Sequence, residues 1–267
     1  MSAYILTYTE TVEPLLNSIP DTLPEPDADA KARSKQVQQC VVSACEQAGG
    51  KLRFPRFMEI ALYQPGMGYY TGGLQKFGDK GDFITAPEVS PLFGQCLAKQ
   101  IAQVLQGFEN AGAKNSTLLE FGAGSGILAA DILLALAELD TLPAKYLILE
   151  LSAELQQRQQ QKIKECAPQL YERVEWLTSI PDNLDNVVVI ANEVLDAMPV
   201  ECFRVSGDEV QSLVIAQHED GLVANYVKAD AAVEQVIETI KQRSEIEFLS
   251  DYRSEYNPAI KPWLTEL

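Results

Sequence analysis

The feature that most constrains this sequence is a glycine-rich turn between an apolar strand and a helix. Residues 117–126 read TLLEFGAGSG, and the apolar stretch ILAADILLALAEL follows directly. In α/β proteins, a strand that ends in a glycine turn and opens a helix brings backbone N–H groups and a helix N-terminus up to a nucleotide-like ligand. The sequence therefore predicts a cofactor site at the centre of an α/β domain.

The spacing of the glycines narrows the choice of cofactor. Dinucleotide folds use G-x-G-x-x-G, whereas Gly122, Gly124 and Gly126 are spaced G-x-G-x-G, and Glu120 lies two residues before the first of them. This pattern resembles motif I of the class I S-adenosylmethionine (SAM) methyltransferases. The resemblance implies that Glu120 lies near the amino and carboxylate end of SAM and that the glycines pass under its ribose. The alternative is a turn that only packs a helix on a strand.

A second acid follows the next predicted strand. KYLILELS (145–152) ends near Glu150, which lies 24 positions after Gly126, close to the spacing of about 20 for the acid that binds ribose hydroxyls in such folds. A carboxylate can accept hydrogen bonds from both hydroxyls of a vicinal diol. We therefore expect Glu150, with its neighbours Leu151 and Ser152, to bind the cofactor, although Glu150 could instead be a solvated acid at a strand end.

A third strand ends in further polar residues. NVVVIANEVLDAMP (186–199) begins as a buried β-branched run and continues into Asn192, Glu193 and Asp196. Polar residues at the carboxyl end of a central strand point into the crevice where open α/β sheets bind ligands. We expect Asn192 to contribute to the cofactor site and Glu193 and Asp196 to be catalytic. The alternative for these residues is turn and capping chemistry.

The resemblance extends beyond the glycine turn. RFMEIALYQPGMGYYT (56–71), GDFITAPEVSPLFGQ (81–95), and then EFGAGSG, LELS and ANEVLDAMP occur in the order found in the MidA-like methyltransferases, a family that includes the arginine methyltransferase of mitochondrial complex I assembly. This resemblance implies that the GDFITAPE segment folds over the methionine end of SAM, while Gly122, Gly124 and Glu150 hold the adenosine half. The residues carried over from that segment are Asp82, Phe83, Thr85 and Glu88.

The implied function is a SAM-dependent methyltransferase that methylates an arginine of a protein, such as a respiratory complex I subunit. Because the guanidinium pKa lies above about 12, the group must lose a proton during or after the attack, and carboxylates are needed to orient its plane. Glu193, Asp196 and Glu88 are the candidate carboxylates. Two alternatives stay open: a catalytically silent assembly or scaffold protein that retains SAM binding, and a nicotinamide-dependent oxidoreductase, which would carry the third glycine one place later.

Composition bears on partners and location. A net charge of −17 repels a phosphate backbone and favours a protein substrate with a basic segment over nucleic acid. No apolar run reaches the roughly 18 residues of a membrane helix, and the first residues lack a secretory or Arg-rich import pattern, so we predict no membrane association and a cytoplasmic location. One histidine and five cysteines without C-x-x-C spacing predict no metal site.

The predicted fold class is α/β, with a SAM-methyltransferase Rossmann-like parallel sheet, N-terminal helical elements and an antiparallel substrate-facing insertion. Residues 1–30 are predicted to form a loose acidic arm, 31–110 helical and loop elements covering the cofactor, 111–199 the SAM-binding core, and 200–267 a β-hairpin and helix addition. The pattern predicts a helical stretch over 87–106 and an amphipathic helix from about Asp230 to Glu247. Only four strands of the larger methyltransferase sheet are evident, so we expect either a C-terminally truncated chain or an edge of the sheet covered by later hairpins or a partner.

Overall fold

The computed structural model describes residues 7–8, 25–72, 85–219, 221–244, 248 and 251–266. These residues form two compact units. One unit contains the described residues up to Gly72 together with Met198–Thr265, and the other extends from Thr85 to Ala197. The domain boundaries expected from the sequence stay a prediction.

The described residues contain eight α-helices and ten strands. The helices are α1 (Ala28–Gln47), α2 (Phe54–Tyr63), α3 (Ala86–Val89), α4 (Leu92–Asn110), α5 (Ile127–Glu138), α6 (Ala153–Cys166), α7 (Ala231–Ser244) and α8 (Ile260–Glu266), with 3₁₀ turns at Pro168–Arg173 and Leu195–Ala197. The strands are β1 (Thr7–Tyr8), β2 (Leu52–Arg53), β3 (Thr117–Phe121), β4 (Lys145–Leu149), β5 (Val174–Leu177), β6 (Val187–Ile190), β7 (Glu201–Ser206), β8 (Glu209–His218), β9 (Gly221–Lys228) and β10 (Tyr252–Tyr256).

The unit from Thr85 to Ala197 is built on a parallel sheet with strand order β5-β4-β3-β6. Thr117 of β3 is in register with Lys145 of β4 on one side and with Val187 of β6 on the other. The chain therefore moves outward from β3 through β4 to β5 and then returns to place β6 on the opposite side of β3. In open α/β sheets, ligands bind at the carboxyl ends of the strands where the order reverses in this way. That point lies between β3 and β6.

Helix α5 holds β3 and the following turn in place because it is apolar on almost every side. It buries Ile132, Leu133 and Leu136 completely, in a core shared with Tyr146 and Ile148 of β4. A helix that is hydrophobic all round has to be covered on more than one face, and α4 packs against it with Ala98, Ile101, Ala102 and Leu105 in the same core. Each large apolar side chain buried here stabilises the unit by about 1.5–3 kcal/mol.

The helical stretch predicted over 87–106 is divided into two helices in the structure. Ser90, between α3 and α4, is extended, with φ −161° and ψ 140°. The ring of Pro91 disfavours a helical conformation at the preceding residue, so α3 ends at Val89 and α4 begins at Leu92.

The other unit contains an antiparallel sheet in which β9, β8, β7 and β10 are neighbours. β2 also pairs with β8, and β1 pairs with β9 in parallel. Helices α1 and α2 pack on β8 and β9 through a core that includes Val41, Cys45, Ile60 and Ile215. The mixed α/β class, with one parallel and one antiparallel sheet, confirms the predicted fold class. That the antiparallel part faces the substrate stays a prediction.

Helix α7 and strand β10 complete this unit. The side chain of Asp230 caps α7, because its Oδ1 accepts a hydrogen bond of 2.9 Å from the Val233 N–H. The predicted extension to Glu247 lies partly outside the described residues. Strand β10 was not predicted, because YRSEY alternates aromatic and polar residues too briefly to be distinctive. In the structure, Tyr252 and Tyr256 pack on Phe203 of β7.

Candidate active site

The glycine turn after β3 has the conformation that its sequence requires. Gly122, Gly124 and Gly126 all have positive φ values, of 59°, 55° and 88°, a region that residues with a Cβ rarely adopt. A Cβ added to Gly124 would meet no protein atom within 4 Å, whereas one added to Gly126 would lie 3.0 Å from the Cα of Gln159. Gly126 therefore allows α6 to pack closely on the turn, and Gly124 leaves the space beside the turn open.

Glu120 lies in the core of this unit. Its side chain is 2% exposed, and its Oε2 accepts a hydrogen bond of 2.9 Å from the hydroxyl of Tyr146. Burial raises the pKa of Glu120 from 4.5 to about 7, although the hydrogen bond from Tyr146 lowers it. The same burial, with the charge of Glu120, raises the pKa of Tyr146 well above its ordinary value. A role for Glu120 near the amino and carboxylate end of SAM stays a prediction.

Glu150 follows β4 and is held by hydrogen bonds on both carboxylate oxygens. Oε1 accepts from the backbone N–H of Ser152 at 2.9 Å, and Oε2 accepts from Nε2 of Gln159 at 3.1 Å. Ser152 in turn caps α6, because its hydroxyl oxygen accepts from the Leu155 N–H. Leu151, between them, is 80% exposed. Each carboxylate oxygen keeps a second acceptor position, which is what binding to a vicinal diol requires.

Sequence reasoning missed Gln159. This residue is fully buried on α6 and contacts both the glycine turn and Glu150. Its helix contains AELQQRQQQKIKEC, in which Gln159 is one glutamine among several. The available signal was its spacing from Ile163, which is four residues further along and is also fully buried.

Glu88 contacts the glycine turn from α3. The hydroxyl of Ser125 donates a hydrogen bond to the Glu88 carboxylate and accepts one from the Ile127 N–H, at 3.3 Å. Asp131, one turn into α5, was not predicted as part of the site. Its pKa is raised by burial and then by the negative charge of Glu88. The structure thus places Glu88 at the turn, while its catalytic role stays a prediction.

The rest of the predicted methionine-end segment is only partly described. Asp82 and Phe83 lie outside the described residues. Thr85 has an extended backbone at the N-cap position of α3, and its side chain makes no capping hydrogen bond. The contacts of this segment with a cofactor stay predictions.

The segment after β6 approaches the first glycine of the turn through Val194. A Cβ on Gly122 would be 3.9 Å from Cγ2 of Val194, which places the segment containing Asn192, Glu193 and Asp196 next to the turn. Glu193 and Asp196 are exposed, and Asn192 is half-buried. Glu193 also has a φ of 52°. A non-glycine residue in this left-handed region costs about 1–3 kcal/mol, and such strain concentrates at functional sites.

Neither a metal-binding cluster nor a membrane-spanning helix occurs among the described residues. Across the ranges given above, no group of three or more His, Cys, Asp or Glu side chains is placed to hold a metal ion. In that same part of the chain, no helix is long and apolar enough to cross a membrane.

Together these features define a class of protein. The parallel sheet has a glycine turn after β3 and a carboxylate after β4. Exposed acids follow β6, on the other side of the point where the strand order reverses. This combination is typical of a Rossmann-like enzyme that binds a nucleotide-type cofactor. The family model described as "Putative S-adenosyl-L-methionine-dependent methyltransferase" matches residues 96–267, which is more than half of the chain. The chain belongs to this family. The predicted methyltransferase family and its SAM cofactor are thereby confirmed.

Named relatives come from animals. A mitochondrial protein arginine methyltransferase NDUFAF7 homolog from Caenorhabditis elegans is 31% identical over 195 residues, which covers 66% of this chain and 45% of the relative. The corresponding Drosophila melanogaster homolog is 26% identical over 256 residues, covering 86% of this chain and 54% of the relative. The chain therefore spans about half the length of the curated relatives it matches.

A solved structure supports the same assignment. A crystal structure from Burkholderia thailandensis bound to S-adenosyl-homocysteine has a TM-score of 0.81 and 38% sequence identity. The match covers 91% of this chain and 61% of that one. A second crystal structure from the same organism has a TM-score of 0.78 and 36% identity.

The cytoplasmic location predicted from the sequence is wrong, since the curated relatives are mitochondrial proteins. That prediction rested on the composition of the first residues. The composition of the first residues is therefore not a guide to location.

Proposed function

We propose that this chain transfers a methyl group from SAM to an arginine side chain of a protein. The observation that carries the proposal is that Glu193 and Asp196 are two exposed acids in the segment after β6, and that Val194 of this segment lies against the glycine turn. Carboxylates bind the planar guanidinium group through charge-assisted, often paired hydrogen bonds. The names of the curated relatives, which are protein arginine methyltransferases, support the same acceptor.

The residues after β3 and β4 fit SAM. The space beside Gly124 is open to a ligand, and Glu150 keeps an acceptor position on each oxygen for the two ribose hydroxyls. When bound, SAM supplies a methyl group that its sulfonium already activates. The protein therefore has to bind and align the reactants, which can be worth about 7–11 kcal/mol of the barrier.

The acceptor makes a further demand on the chain. A guanidinium with a pKa above about 12 is protonated and must lose a proton as it is methylated. We assign Glu193 and Asp196 to orienting its N–H groups and receiving that proton. Glu88 is the third candidate, and its hydrogen bond from Ser125 favours a role in holding the glycine turn.

The net charge and the family resemblance narrow the choice of substrate. The net charge of −17 favours a basic protein segment over nucleic acid. A subunit of respiratory complex I is the substrate that the family resemblance implies.

The test uses isotope-labelled SAM and lysate from cells that lack the gene, with mass spectrometry to identify the residue that gains the label. We expect label on arginine, and we expect Glu193→Gln to reduce the rate of transfer by about 10²-fold or more with little change in SAM affinity. Glu138→Gln, an exposed acid at the far end of α5 from the glycine turn, is the matched control. Label only on nucleic acid or a small molecule would overturn the substrate class. SAM binding without any labelled product would instead support a silent assembly protein.

A further inference from the structure

Gln159 joins three parts of the candidate site. Its Nε2 donates hydrogen bonds to the backbone carbonyl of Gly124 and to Oε2 of Glu150, both at 3.1 Å. Its Oε1 accepts from Nε1 of Trp176, on β5, at 2.9 Å. Because the side chain is fully buried, these three bonds compensate for the water that both ends of the amide have lost.

The chemistry of the partners fixes the orientation of the amide. An indole N–H can only donate, so the amide oxygen must face Trp176. A backbone carbonyl and a carboxylate can only accept, so the amide nitrogen must face Gly124 and Glu150. Among the other natural side chains of similar length, methionine lacks both functions and glutamate lacks the two donors.

This arrangement determines how Glu150 is presented to a ligand. The Ser152 N–H occupies one acceptor position on Oε1, and Gln159 occupies one on Oε2. One acceptor position then remains on each oxygen. The carboxylate is thus oriented in advance to accept two hydroxyl hydrogen bonds at once, and the same amide holds the carbonyl of Gly124 in the turn.

We propose that Gln159 is a positioning residue that makes the cofactor site selective for an adenosyl group carrying both ribose hydroxyls. It acts through Glu150 and does not touch the reacting atoms. The inference rests on the proposed binding of SAM at this site. Without the amide, Glu150 loses one of the two hydrogen bonds that set its orientation. The gain in binding affinity from a second ribose hydroxyl should then largely disappear.

The experiment is calorimetric titration of the intact chain with S-adenosylhomocysteine and with its 2′-deoxy analogue. Wild type should bind the ribose form at least about tenfold more tightly, as expected for one hydrogen bond to a charged group. Gln159→Met and Gln159→Glu should each weaken binding of S-adenosylhomocysteine by about tenfold and reduce the preference to below about threefold. Gln157→Met, an exposed position on the same helix, should retain both the affinity and the preference.

The outcomes separate this inference from the proposed function. If wild type binds neither ligand, the proposed cofactor site is wrong. If wild type binds S-adenosylhomocysteine but shows no preference, or if the Gln159 variants lose affinity with an unchanged preference, Gln159 has only a structural role and the inference fails. If the Gln159 variants do not fold, Trp176→Phe decides, because it removes the indole N–H donor together with part of the ring while keeping an aromatic side chain and leaving Gln159 in place. An unchanged preference in Trp176→Phe would then refute the inference.

Discussion

The buried acid Glu120 should make the stability of this protein depend on pH in a defined direction. Burial raises the pKa of its carboxyl from 4.5 to about 7 in the folded state. Between these two pH values the unfolded chain has lost the proton that the folded chain still holds. Raising the pH therefore stabilises the unfolded state relative to the folded state. The contribution of Glu120 to stability is therefore fully present below pH 4.5 and is lost as pH rises to about 7. Since one pKa unit corresponds to about 1.4 kcal/mol, the whole effect is on the order of 3 kcal/mol.

Glu120→Gln removes this titration while retaining an oxygen that can accept from the hydroxyl of Tyr146. We expect the free energy of unfolding of wild type to fall relative to the variant by about 2 kcal/mol or more between pH 5 and pH 8.5. Comparing the two proteins cancels the pH dependence of the other groups, which is needed in a chain with a net charge of −17. The assay is urea unfolding followed by circular dichroism at each pH.

Two further variants sharpen the measurement. Tyr146→Phe removes the hydrogen bond that lowers the pKa of Glu120, so the loss of stability at high pH should be larger than in wild type. For Glu138→Gln, at an exposed position, the difference from wild type in free energy of unfolding should change little between pH 5 and pH 8.5. Parallel curves of stability against pH for wild type and Glu120→Gln would show that Glu120 is not held in the buried, protonated state inferred here.

Three further predictions concern the site. Gly124→Ala should cost about 1–2 kcal/mol of stability because of its φ of 55° and should weaken S-adenosylhomocysteine binding at least tenfold in calorimetry; unchanged affinity would place the ligand elsewhere. Glu150→Ala should also weaken this binding by about tenfold or more, and Glu150→Asp less so, so two variants that bind like wild type would remove the ribose contact from Glu150. Glu193→Gly should raise the free energy of unfolding by about 1 kcal/mol, because glycine relieves the strain of a φ of 52°, and it should abolish methyl transfer. A variant that is active and no more stable than wild type would contradict both the backbone strain at Glu193 and its role in the transfer.

The sequence predicted the parallel sheet and the glycine turn because each leaves a local signal. The apolar strand before Gly122 and the apolar helix after Gly126 belong to one continuous segment, and the positive φ values of the turn can be inferred from the glycines alone. The positions of Glu150 and Glu193 after β4 and β6 could be predicted for the same reason, since each closely follows a run of apolar strand residues. Boundaries were less predictable, and Ser90 shows why. Its extended conformation depends on one proline within a pattern that is otherwise helical.

Gln159 and Asp131 were harder to predict because their surroundings depend on contacts between segments that are distant in sequence. Gln159 lies in a helix with several glutamines, and what distinguishes it is that Gly124, Glu150 and Trp176 meet around it. This meeting requires the parallel register of neighbouring strands, in which Glu120 of β3 lies opposite Ile148 of β4 and Ile148 lies opposite Trp176 of β5. A polar residue that leaves water must find hydrogen-bond partners among such neighbours. The glycine turn is therefore encoded locally, whereas the hydrogen bonds that hold Glu150 beside it follow from the order of the strands.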